Sequence, residues 1–81
     1  MNEIILIGEV LSNITYSKNS NISTIYLKVY NNDSNNCNYI PVNFKSINYN
    51  NIKFLKGRRI AISGHIEMMN NPVIFVDVLN Y

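Results

Sequence analysis

Apolar and polar positions alternate along most of the 81 residues in a way that predicts strands. Glu3 to Leu11, EIILIGEVL, is an apolar, β-branched run too short for a helix and reads as a first strand, with Gly8 at a bulge or sharp bend. Ser12 to Asn21 is polar apart from Ile14 and Tyr16 and predicts a loop or hairpin. From Ser23 to Tyr30 a second strand places Ile25, Leu27 and Val29 on the core face and Tyr26, Lys28 and Tyr30 on the other. Asn31 to Asn38, NNDSNNCN, has no core-forming pattern and reads as a loop.

A third strand over Asn38 to Lys45 turns Ile40, Val42 and Phe44 inward and Tyr39, Pro41, Asn43 and Lys45 outward, with Pro41 marking an edge or bulge. Ser46 can cap a short helix through about Leu55 that Gly57 would stop. A fourth strand, Arg58 to Met68, carries Ile60, Ile62 and Ile66 at even spacing, interrupted by Gly64 where a barrel strand would bend. Asn70-Asn71-Pro72 makes a turn into a fifth strand, Val73 to Leu79. The order β-β-β-α-β-β predicts an all-β, five-stranded oligonucleotide-binding (OB) barrel with a helix between strands three and four, residues 1–81 forming a single domain.

Composition refines this picture. Thirteen isoleucines and 47% hydrophobic residues supply a β-rich core and argue against global disorder. A domain this small buries a modest share of its surface, so self-association is expected to help stabilise it. Sixteen asparagines gather in runs that punctuate loops. The net charge of +2 is mild for a duplex-DNA binder. No run of about 18 apolar residues and no signal-peptide pattern is present, so a soluble, cytoplasmic protein without a membrane role is expected. Cys37 cannot form an internal disulfide, and with the single His65 it falls short of a structural zinc set.

For chemistry the sequence offers little. His65 has no nearby nucleophile or second histidine, and Glu3, Glu9, Asp33, Glu67 and Asp77 are scattered, so neither a catalytic group nor a metal or cofactor site is expected. Tyr26, Lys28, Tyr30, Tyr39 and Lys45 are different: flat side chains and cations on the non-core faces of two neighbouring strands suit stacked bases and phosphates. Tyrosine and lysine also suit ordinary solvent-facing strand positions, so both readings stand. Arg58 and Arg59 concentrate charge at the start of the fourth strand, for phosphate contacts or as a solvated turn. Phe54 and Phe75 are expected in the core, whereas Asp77, on Phe75's side of the fifth strand, places that side at the outer face or an interface.

These segments resemble the bacterial single-stranded DNA-binding protein family over nearly the whole chain. NEIILIGEVL looks like its first-strand motif, STIYLKVYNN like its second strand, and NYIPVNF like its D-F-I-P-V-x-x-W segment. INYNNIKFLKGRRIAISGHIE resembles its A-E-x-x-x-x-Y-L-x-K-G-x-x-V-x-V-x-G-x-L-x helix and fourth strand. The resemblance implies that Tyr39 stacks on bases and that Lys45 stands where the family carries a second stacking aromatic. Tyr16 falls where the family has an R-Y-x-P-x-G loop, but Lys18-Asn19-Ser20-Asn21 replaces its glycine. The sequence ends at Tyr81 without the family's acidic tail, so recruitment of partners by a tail is not expected.

The resemblance further implies a homo-oligomer, dimer or tetramer, with the outward apolar side chains of the first strand as its interface. The expected function is sequence-non-specific binding of single-stranded DNA in replication, recombination or repair. The alternative is a primosomal-type barrel that docks replication proteins and binds DNA weakly, which the low net charge and Lys45 favour.

Overall fold

The computed structural model describes residues 2–11, 21–31, 35–45 and 56–80, and the backbone of 15–17. Among these residues the strands are β1 (Ile4–Val10), β2 (Thr15–Ser17), β3 (Ile22–Tyr30), β4 (Cys37–Lys45), β5 (Arg59–Met68) and β6 (Pro72–Asn80). They form one sheet in the order β1-β5-β6-β4-β3-β2, and β1 returns to pair with β3. Five strands thus close into a barrel, while β2 lies on the edge of β3 within the polar stretch that the sequence leaves as a loop or hairpin. β4 and β6 run parallel and every other pairing is antiparallel, the topology of the OB barrel. The helix expected over Ser46 to Leu55 lies outside the described residues.

Strand alternation directs the core. Val10, Ile25, Leu27, Val42, Phe44, Ile60 and Ile62 are buried together, with Leu6, Val29, Ile40, Ile74, Val76 and Leu79 packed around them. Each fully buried side chain of this type contributes roughly 1.5–3 kcal/mol. Two expectations need correction. Ile66 shares the spacing of Ile60 and Ile62 but is 39% exposed, beyond the register shift at Ser63/Gly64. Phe75 is buried, yet its neighbours Ile74 and Val76 pack on the core, as does Leu79 further along β6; Phe75 is covered on the outer face instead.

Two glycines permit close strand approach. A Cβ on Gly64 would stand 2.1 Å from the Phe75 carbonyl oxygen, and one on Gly8 2.7 Å from that of Lys28. Gly8 therefore marks a crossing of β1 over β3, while the bulge falls at Gly64. Gly57 adopts a left-handed φ of 80° and donates its amide to Val10 at 2.8 Å, tying the approach to β5 onto the end of β1. Pro41 pairs with Tyr26 on β3 but precedes Val42 and Asn43, where β6 joins β4, so that flank of the proline is an edge.

The ladders are unequal. β3 pairs with β4 along its whole length and β5 pairs with β6 from Ala61 to Met68. The barrel is closed by two shorter seams: Glu9–Lys28 with Val10–Leu27, and Val42–Ile74 with Asn43–Phe75.

Candidate nucleic-acid interface

The register assembles a continuous outer surface from residues far apart in sequence. Arg59 pairs with Glu9, Glu9 with Lys28, and Lys28 with Tyr39, a row across β5, β1, β3 and β4. Alternation points all four side chains away from the core. Tyr30, opposite Cys37, lies on one side of this row and Tyr26, opposite Pro41, on the other. The rings are accessible: Tyr30 is 60% exposed, Tyr39 57% and Tyr26 38%.

The Lys28 ammonium sits 5.3 Å from the Tyr30 ring centroid. Its pKa lies above the ordinary lysine value, first through hydrogen bonding with Tyr30, so it is charged throughout the physiological range. Hydrogen bonding with Cys37 likewise raises the Tyr39 hydroxyl, which stays neutral there. A cleft of about 620 Å³ opens beside the row, lined by Ile5, Ile7, Lys28, Tyr30 and Arg59 among others. Flat apolar faces and cations therefore share one wall. Arg58 is exposed just before β5, next to Arg59.

Lys45 does not join this group. It lies six residues along β4 from Tyr39, about 20 Å at strand rise. Its ammonium bonds Glu67 Oε2 at 2.8 Å and stands 4.4 Å from the centroid of Phe75. His65 lies between two carboxylates, with Nδ1 2.8 Å from Asp77 Oδ2 and Nε2 2.6 Å from Glu67 Oε2. Its ring stacks on Phe75 at 6.1 Å between centroids. Asp77 and then Glu67 hold the His65 pKa above its ordinary value, while Lys45 and then His65 hold that of Glu67 below its own.

This quartet was not evident from the sequence, which leaves His65 alone and the acids scattered. Asp77 is twelve residues from His65, and only the β5–β6 hairpin brings them together. Glu67 offered a signal, since residues two apart on a strand share a face. The outer position of Asp77 agrees with the alternation of β6. No group of three or more histidine, cysteine or acidic side chains is placed to hold a metal among the described residues.

With this geometry in place, comparison with known proteins defines the class by fold: an OB barrel of the form found in single-stranded DNA-binding domains. Among similar solved structures is the dimeric N-terminal domain of PriB from Thermoanaerobacter tencongensis, with a TM-score of 0.77 and 19% identity over 98% of this chain and 93% of that one. Another is the SSB domain of a Synechococcus protein, with a TM-score of 0.74 and 11% identity over 100% and 96% of the two chains. A third is a small single-stranded DNA binding protein from Mycoplasma pneumoniae, at 0.72 and 14% over 100% and 93%. No family model matches the sequence, and no curated protein matches it.

Proposed function

We propose that this chain is a single-domain, sequence-non-specific binder of single-stranded DNA that acts in the cytoplasm in replication, recombination or repair and performs no chemistry on its ligand. The observation that carries this reading is the shared outer wall of Tyr26, Tyr30, Tyr39, Lys28 and Arg59. Exposed aromatic rings accept the faces of unpaired bases whatever their identity, and the cations, with Arg58 beside them, accept phosphates. Duplex DNA hides those base faces. The fold neighbours described as single-stranded DNA-binding proteins support the reading.

The test is fluorescence anisotropy of a labelled oligo-dT of about 30 nucleotides, at two salt concentrations, beside a duplex of equal length. Preferential, salt-sensitive binding of the single strand is expected; equal binding of the duplex would defeat the proposal. Alanine at Tyr26, Tyr30 or Tyr39 should cost about 1–3 kcal/mol for each base that loses its stack. A second reading, a barrel that docks replication proteins and binds DNA weakly, draws on the engagement of Lys45 by Glu67 and the resulting lack of a free cation there. Absence of binding at low salt would favour it.

The same reading includes a homo-oligomer built on the outward side chains of β1. Ile5 and Ile7 are 69% and 54% exposed on adjacent outward positions of that strand, and the PriB domain is described as dimeric.

A further inference from the structure

Among the described residues, Phe75 is the one phenylalanine that is fully covered without belonging to the cluster inside the barrel: it is 3% exposed, while the buried cluster packs on the opposite face of β6. Two polar side chains lie against its ring. The Lys45 ammonium lies over one part of the ring at 4.4 Å and the His65 imidazole over another, inclined by 27°. Lys45 is held there by one half-exposed carboxylate, Glu67. Such an ion pair in water is weak, and a lysine stem is flexible, so this cover opens more readily than a packed apolar one.

Phe75 also belongs to the tyrosine-bearing surface. Thr24 pairs with Asn43, Asn43 with Phe75 and Phe75 with His65, forming a row two residues along the strands from Tyr26 and Pro41. The floor of that row is tied down. Thr24 Oγ1 donates to Asn43 Oδ1 at 2.6 Å, and Asn43 Nδ2 donates to the Ile74 carbonyl at 3.0 Å. A strand lying on the tyrosines and continuing along β4 passes over this row.

We infer that Phe75 is a concealed base-stacking platform gated by Lys45. A phosphate of the bound strand draws the ammonium from Glu67, the ring is uncovered, and an unpaired base takes the place of the lysine. The same cation closes the platform in the free protein and binds phosphate in the complex. The aromatic surface lies directly beneath the Lys45 ammonium. This inference rests on the single-strand reading above.

The experiment is ultraviolet crosslinking of the full chain to an oligo-dT carrying 5-iodouracil, with crosslinked residues located by mass spectrometry, together with anisotropy on Phe75→Leu. Crosslinks at Phe75 are expected, and Phe75→Leu should weaken oligo-dT binding by about tenfold. Crosslinks confined to Tyr26, Tyr30 and Tyr39 would overturn the inference while leaving the single-strand reading intact, even if Phe75→Leu binds less well through altered packing. Should that variant fail to fold, the crosslink map on the unaltered chain decides alone. Absence of oligo-dT binding by the unaltered chain would remove both readings.

Discussion

At the scale of single residues, the informative group is His65, because two carboxylates meet its two ring nitrogens. Its folded pKa lies above the ordinary value of 6.5, so its contribution to stability is complete below about pH 6.5 and is lost as pH rises through the folded value. Glu67 has the opposite sign: its folded pKa lies below 4.5, so its contribution is present above that value and lost as pH falls through the folded one. The quartet therefore stabilises most between those two ordinary values. Urea denaturation at pH 6 and pH 8 should show a drop that shrinks in His65→Gln; an equal drop in both proteins would remove His65 as its source. In an NMR titration of the ring, Asp77→Asn should lower the His65 pKa more than Glu67→Gln does, since Asp77 is the larger cause. This part of the molecule was the least legible in the sequence, because its partners meet through strand pairing and a bulge that residue order alone does not reveal.

At the scale of elements, alternation located the five barrel strands to within about a residue at each end, because hydrophobic faces of period two have to meet one core. It also separated Tyr26, Lys28 and Tyr30 from Ile25 and Leu27. The core expectation for Phe75 comes from an aromatic in an apolar run, whereas alternation with Asp77 puts its side outward, where Lys45 and His65 lie against the ring. Gly64 was legible as a bend, and the structure adds its severity. Gly64→Ala would drive a methyl against the backbone of Phe75, so a loss of more than about 3 kcal/mol is expected, beyond the usual cost of overpacking. Denaturant titration measures it, and a loss under about 1 kcal/mol would mean that the bulge shifts freely.

At the scale of the whole molecule, the barrel consists of two well-laddered parts, β3–β4 and β1–β5–β6, joined along two short seams. Native-state hydrogen exchange should divide along the same lines. The Leu11 amide, donated to the Tyr26 carbonyl beside the β1–β3 seam at 2.9 Å, should exchange ahead of amides in the middle of the β3–β4 ladder. Indistinguishable rates would mean that the barrel opens as one unit. Association gives a second whole-molecule outcome: light scattering should report a smaller particle when Ile5 and Ile7 are both changed to lysine, and an unchanged mass would place the interface elsewhere. One further tie holds β5 beyond its bulge: Asn2 Nδ2 donates to the Ile66 carbonyl at 2.6 Å, and Asn2 Oδ1 accepts the Ile66 amide at 3.0 Å. A side-chain amide thus serves where another strand would have served. Asparagine deamidates slowly in storage, and at this position the loss of one nitrogen would replace a donor with a negatively charged oxygen facing a carbonyl. Conversion of Asn2 to aspartate should accordingly loosen this clasp, and faster exchange of the Ile66 amide would report it.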